Sequence, residues 1–515
     1  MKTTLLAGLL ATAAIPAAAQ TATTMNVTQV FGTVDPAKIT DYTEYMAAVN
    51  LYDGLTTVAG DGSIVPQLAS DWTVSEDSLT YTFTLKEGAT FTDGSPVEAK
   101  DVVWSLQRLI ALNEGPSYLF AGLIDPEAVV ATDDRTVEIT LNRVFAPFLA
   151  ATPLILIVNS DVAMEEGSGD WAEDLLGETP EGAGPYTIAS WNRGSEMVIE
   201  RFEDYHGGFT GTPLDRIRFV VTNDEATVKA LATSGELGIS SPNQATETYD
   251  SIGAMEGYEI ETTPTATGFY IKMNTQAAPT DDIHLRRAIQ YATDYQTIRE
   301  VIYPGFEMAG PLSPSFEDAY LDTLEAPVYD LDKAAEELAQ SAYAGEDLTI
   351  PLAYVAGLSF EEDIALLMQA NLEAIGITVE LQPEPWNRIT ELASDPSTTP
   401  ALTQVFNGPS YPSPDSVFFV QYHSDSAGTW ASMEWLEDPE IDALIDASRA
   451  ETDTGARNEI YKELQQKLVD GASDVYLTFE EERQAMSTCL QGYTYVPMMS
   501  WQYDFSRMSW DCSAG

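Results

Sequence analysis

Between Leu68 and Arg108 the chain reads LASDWTVSEDSLTYTFTLKEGATFTDGSPVEAKDVVWSLQR, the stretch that most constrains its fold. Thr80 to Leu85 alternates polar and apolar residues, the period of a half-buried strand. Lys86-Glu87-Gly88 then turns the chain into a second short strand ending at Phe91. Asp93-Gly94 signals a tight turn, because glycine tolerates positive φ. Pro96 leads into a helix on which Val102, Val103, Leu106, Leu109 and Ile110 recur at helical spacing. The physics of this unit is general and gives it no function.

Its wording is more specific. Ala69, Trp72, Ser75, Asp77, Tyr81-Thr82-Phe83, Leu85, Gly88, Phe91, Asp93-Gly94, Pro96, Ala99, Asp101-Val102 and Ser105 all stand at fixed spacing. Together they closely resemble the signature of the extracellular solute-binding proteins of the peptide/nickel class, family 5, the periplasmic receptors of ABC importers. Weaker marks follow: Tyr52-Asp53-Gly54-Leu55, Gly182 to Tyr186, Glu200 to Gly208, Phe269 to Asn274, and Asp281 to Asp294. The resemblance implies an α/β, two-lobed periplasmic-binding-protein-like fold of the large type II class, with an extra subdomain in lobe one. It places lobe one at residues 20–265, including a subdomain at about 55–180, lobe two at 266–478, and a return to lobe one at 479–515. Hinge crossings then lie near residues 265 and 478, the first in the Thr-, Pro- and Gly-rich run from Glu261 to Gly268.

Composition narrows the partners. Acidic side chains number 81 against 24 basic ones, a formal charge of −57, which disfavours nucleic acid and anionic lipid surfaces. A cationic ligand or metal is one reading of this acidity. A solvated acidic surface suited to a salty exterior is the other, and the even spread of acids along the chain favours it. At 515 residues, with 44% hydrophobic and 20% charged, the chain suits two or three globular domains.

Met1 to Gln20 reads as a secretory signal peptide: Lys2 is the charged start, Leu5 to Ile15 the apolar run, and Ala17-Ala18-Ala19 the cleavage site, so residues 1–19 are expected to be removed. No cysteine lies near that site to carry a lipid, which points to the periplasm of a Gram-negative cell. The apolar run Phe145 to Val158 is too short to span a bilayer and is broken by Pro147 and Pro153, so it belongs to the core. Cys489 and Cys512 are the only cysteines, an even pair in an oxidising compartment, and are expected to form a disulfide that pins the C-terminal tail. No metal site and no cofactor is expected.

Along the chain, Met25 to Phe31 reads as the first strand, Thr136 to Leu141 as another, and Arg143 to Leu149 as the start of a helix interrupted by Pro147. In the family the loop Asp35 to Tyr45 lies at the mouth of the cleft, so Tyr42, Thr43 and Tyr45 are candidate ligand contacts, with packing at a helix start as the alternative. Tyr118 and Trp386 stand where members present an aromatic to the ligand, with core packing as the alternative for each. His206 reads as a surface histidine without a role.

Ligand specificity is expected in the loop Phe406 to Asp415, through Asn407, Gly408, Pro409 and Tyr411. In peptide-binding relatives this loop resembles W-x-x-D, whose Asp pairs with the peptide amine, whereas Asn407 to Ser413 contains no acid and no Trp. Nickel-chelate relatives carry an aromatic at the place of Tyr411 and a histidine further on, near His423, and Tyr411 would also suit a sugar ring.

No nucleophile–base motif surrounds any of the three histidines, and no phosphate-binding loop occurs. The reading is a monomeric binding component with no catalytic residues. It captures an oligopeptide or similar small solute and delivers it to a permease driven by a separate ATPase. An oligosaccharide, another small organic solute or a metal chelate is the alternative ligand, and a secreted hydrolase is the alternative of another class.

Overall fold

The computed structural model describes residues 21–169 and 171–513. The leader expected at residues 1–19 lies outside the described residues. An eleven-stranded mixed sheet runs through both halves of the molecule. From one edge its order is Ile377–Glu384, Leu348–Val355, Leu402–Asn407, Tyr258–Met273, Asp474–Ser487, Leu237–Ile239, Ala22–Val27, Arg216–Val221, Glu196–Arg201 and Tyr186–Asn192, and Gly305–Phe306 adds to Asp474–Ser487. Ala22–Val27 pairs in parallel on both sides, with Arg216–Val221 and Leu237–Ile239. At the other end Leu348–Val355 is parallel to Ile377–Glu384 and to Leu402–Asn407, with the helix Ser359–Ala374 in the first crossover. That crossover ends as the sequence requires, because Gly376 turns the chain at φ +90°, where a Cβ is strained.

Apolar side chains bury into separate clusters. One draws on residues between Met25 and Phe219 and on the C-terminal stretch Met486 to Met508, and another on residues between Phe269 and Leu477. A third joins the helices Asp415–Tyr422, Pro439–Ala450 and Thr454–Gly471 around Phe418, Ile445 and Leu464. The molecule is therefore two-lobed.

The stretch first singled out forms a four-stranded antiparallel sheet with one covering helix. Ala69–Val74, Thr80–Leu85, Thr136–Leu141 and Ile124–Asp133 lie side by side in that order. Alternation turns Tyr81, Phe83 and Leu85 inward beside Val137, Ile139 and Leu141, all buried. The helix Ala99–Leu112 buries Val102, Leu106 and Leu109 against them, each contributing roughly 1.5–3 kcal/mol. Glu98 and Asp101 cap its start reciprocally. Near its end Arg108 is almost fully buried and donates to Asp35 at 2.6 Å, which ties this subdomain to the first loop.

Several sequence expectations change. No second strand ends at Phe91: Thr90 bridges only Pro96 across the Asp93-Gly94 turn, and the helix starts at Ala99. The first strand stops at Val27. Arg143 to Ala146 are not helical, and Pro147 instead caps the short helix Phe148–Ala151, because its ring disfavours helical geometry in the residue before it. The run Glu261 to Gly268 lies within the continuous strand Tyr258–Met273. Pro264 pairs with Glu481 and Gly268 with Phe479, so Thr265, Ala266 and Thr267 bulge opposite Glu480 alone. His206 is not a free surface histidine; its side chain is only 5% exposed, with Nε2 at 2.6 Å from the Asp53 carboxylate. Cys489 and Cys512 are bonded.

Candidate ligand-binding cleft

A cleft opens between the lobes beside the crossing strands, in two chambers. The inner one spans about 1220 Å³ and the outer one about 2200 Å³, space open to solvent included. Gln29, Thr40, Asp41, Trp386, Trp430 and Met499 belong to both, so the chambers are continuous.

On lobe one, Asp41 caps the helix Tyr42–Leu51 by accepting from Thr43 N at 2.8 Å. This cap sets the side chains that follow. Tyr42 lines the inner chamber, its hydroxyl 2.8 Å from that of Tyr503, and Tyr45 lines the outer one. Thr43 turns into the core, with 1% exposure, and lines neither chamber. Glu44 reaches back to accept from Gly32 N and Thr33 N, both at 3.1 Å, and burial raises its carboxyl above the ordinary range. Tyr118 stays exposed and lines the outer chamber.

On lobe two, Trp386 opens the helix Trp386–Leu392 and meets Trp430 edge to face at 5.7 Å, forming an aromatic corner between the chambers. Leu402–Asn407 delivers the loop that follows it. Gly408 and Pro409 line the inner chamber, and Asn407 and Ser410 the outer. Tyr411 is not in the cleft. It is fully buried in the lobe-one core, and its hydroxyl bonds the carboxylate of Asp415. The phenol satisfies one oxygen of this buried acid and is lost as a stacking surface. His423 is also absent from both linings. It stacks on Phe419 at 4.9 Å at the end of its helix, and Nδ1 accepts from Asp425 N at 3.1 Å. Among the described residues no three His, Cys, Asp or Glu side chains are placed to hold a metal ion.

The inner chamber contains polar groups that sequence reading missed. Glu480 and Glu482 project from Asp474–Ser487, and Glu361 from the first turn of Ser359–Ala374, all buried. Glu480 accepts from the Tyr303 hydroxyl at 2.6 Å, Glu482 from the Tyr493 hydroxyl at 2.9 Å, and Glu361 from Val355 N at 2.6 Å. Burial pushes Glu361 up to about 8 and Glu480 to about 7, and burial together with the nearby charge of Glu480 pushes Glu482 to about 8. The sequence signal was the polar run Glu480-Glu481-Glu482-Arg483-Gln484 inside an otherwise apolar strand. The outer chamber differs in having both signs, with Arg143 and Arg449 beside Glu114, Asp425 and Asp446.

A profile of the bacterial extracellular solute-binding proteins, family 5, matches residues 63–429, well over half the chain. The chain belongs to this family. Relatives include the "Probable D,D-dipeptide-binding periplasmic protein DdpA" of Escherichia coli (strain K12), 27% identical over 489 residues, which are 93% of this chain and 92% of that protein. The glutathione-binding protein GsiB of Salmonella paratyphi A is 26% identical over 96% of this chain and 95% of its own. Among solved family 5-like folds, the periplasmic binding protein DppA of Helicobacter pylori with the peptide STSA superposes at TM-score 0.84, with 21% identity, over 95% of this chain and 98% of the other. Members of family 5 are transport binding proteins, and the two-lobed architecture described above is theirs.

Proposed function

We propose that this chain is the periplasmic substrate-binding component of an ABC importer, capturing a peptide-like solute between its lobes and delivering it to a membrane permease. The observation that carries this reading is the continuous two-chamber cleft, walled by aromatics and spanning both lobes, in a family 5 chain. Near-full-length relatives named for dipeptide and glutathione binding support the peptide class. Tyr42, Tyr45, Tyr118, Trp386, Asn407, Gly408 and Pro409 serve as contacts. Contacts on both lobes favour the closed arrangement, and that difference in affinity drives closure. We assign the leader to 1–19, lobe one to 20–265 with 479–515, and lobe two to 266–478, with the crossing at the Thr265–Thr267 bulge. The mature chain acts as a monomer and binds without turnover.

A thermal-shift screen of the mature protein against di- and oligopeptides, oligosaccharides and Ni(II)-histidine tests this, because a native-state ligand raises the midpoint. Peptides should raise it and be recovered intact. A shift with sugars or nickel-histidine alone defeats the peptide class, and recovery of cleaved peptide defeats the receptor reading.

A further inference from the structure

The inner chamber is chemically one-sided. Its lining contains the acids Asp41, Glu361, Glu480 and Glu482 and no lysine, arginine or histidine. Among the described residues, Glu361, Glu480 and Glu482 have no ion-pair partner, although every buried charge needs one or must take a proton.

A second, independent observation points the same way. Gln404 Oε1 and Gln502 Oε1 belong to buried side chains of this lining, and neither has a hydrogen-bond partner. The amide orientation of Gln404 is set by its neighbour, because its Nε2 donates to the Glu361 carbonyl at 2.8 Å. Two buried acceptors therefore lack a donor, an arrangement that costs free energy until one arrives. The aromatic residues Tyr42, Trp386, Trp430 and Tyr495 in the same lining are also compatible with a cation.

We propose that the inner chamber binds a protonated side-chain nitrogen group of the solute that carries N–H donors, an ammonium or guanidinium, through Glu480 and Glu482 on the crossing strand, Glu361 on lobe two, and the free oxygens of Gln404 and Gln502. The proposal rests on the solute-binding reading of the same cleft and narrows its ligand to cationic members. A quaternary ammonium, which has no N–H, leaves the glutamine oxygens unmet. The carboxyls also set a pH dependence. Burial keeps them protonated near neutrality, so a bound cation displaces protons and binds more tightly as pH rises. The phenols of Tyr249, Tyr303, Tyr493, Tyr495 and Tyr503 that face Glu480 and Glu482 are all raised by burial and stay neutral throughout. Asp41, from the first loop, is raised by burial as well. Glu481 and Arg483 point to the opposite face of the strand and pair with each other at 3.6 Å.

Titration calorimetry with the tripeptides Ala-Arg-Ala and Ala-citrulline-Ala, which differ in one charge, and with agmatine as a cation that is not a peptide, tests this. At about pH 8 the arginine peptide is expected to bind about tenfold or more tightly than the citrulline peptide, the cost of one lost charge contact. E482Q and E480Q should narrow that gap to under about threefold, with thermal midpoints confirming that both variants fold. Where a variant does not fold, the wild-type gap is followed from about pH 6 to about pH 8.5 and should widen. Equal binding of both peptides, or a gap that does not change with pH, overturns the cation site and leaves the peptide reading intact. Agmatine binding without either peptide ends the peptide reading and keeps the cation site. Binding of neither the arginine peptide nor agmatine overturns the inference.

Discussion

Glu361 sits in the first turn of its helix, where an acid is at home, yet it is buried to 1% exposure with one backbone donor. In the unfolded chain it ionises near its ordinary 4.5, whereas in the native protein it keeps its proton up to about 8. Between those values the native state binds one proton more, so stability falls as pH rises through the window. Glu480 and Glu482, raised to about 7 and about 8, act with the same sign. The thermal midpoint of ligand-free protein is therefore expected to decline from about pH 5 to about pH 8, and E361Q should make that slope shallower. A midpoint that rises over this range contradicts the account. At this scale the sequence was least legible. Tyr411 and His423 have the chemistry of ligand contacts, but an Asp four residues on and a Phe one turn back decide where their rings go. Glu480 and Glu482 look like two among 81 acids until the strand's alternation aims them at the cleft.

Elements were far more legible where burial imposes a period. Thr80–Leu85 and Thr136–Leu141 alternate as their sequences do, and the helix Ala99–Leu112 follows its apolar spacing. The crossing strand was not, because Pro264 and Gly268 are poor strand formers that interrupt its Thr-rich run, and the pairing with Asp474–Ser487 overrides local preference. The C-terminal tail is an element with little regular structure: the short pair Leu490–Gln491 and Ser509–Trp510, and the Cys489–Cys512 bond between them. Within that loop lie Tyr493, which bonds Glu482, and Tyr495, Met499 and Gln502, which line the inner chamber. The double variant C489S/C512S is expected to lose about 3 kcal/mol of stability, the loop-closure value for a span of this length. Urea denaturation with and without reductant measures it: reductant should shift the wild type toward the variant and leave the variant where it is.

The whole molecule carries 81 acids against 24 bases, far more than its ion pairs can neutralise. Repulsion over such a surface opposes the compact state and is screened by salt, with a Debye length of about 30 Å at 0.01 M and about 3 Å at 1 M. The thermal midpoint is expected to rise by several degrees from about 0.01 M to about 1 M KCl, and a flat or falling series would show that the acids are already compensated. The two-lobed architecture, by contrast, could be read from the family-like spacing of Ala69 to Ser105 alone, because those residues build one lobe's subdomain and that subdomain accompanies the rest.

One feature of the fold governs how the lobes can move. They are joined by Tyr258–Met273 and Asp474–Ser487, which run as one antiparallel ladder from Tyr258–Ser487 to Lys272–Asp474 and slip register at the bulge and once more between Phe269 and Tyr270. A pair of flexible linkers would let the lobes swivel freely, but a hydrogen-bonded ribbon behaves as a torsion spring. Rotation of one lobe against the other must twist that ribbon about its own axis, most easily at Thr265–Thr267, where three residues face one. Opening then has a preferred axis, a limited sweep and a restoring torque, and a solute that closes the cleft does elastic work on the same strand that presents Glu480 and Glu482 to it.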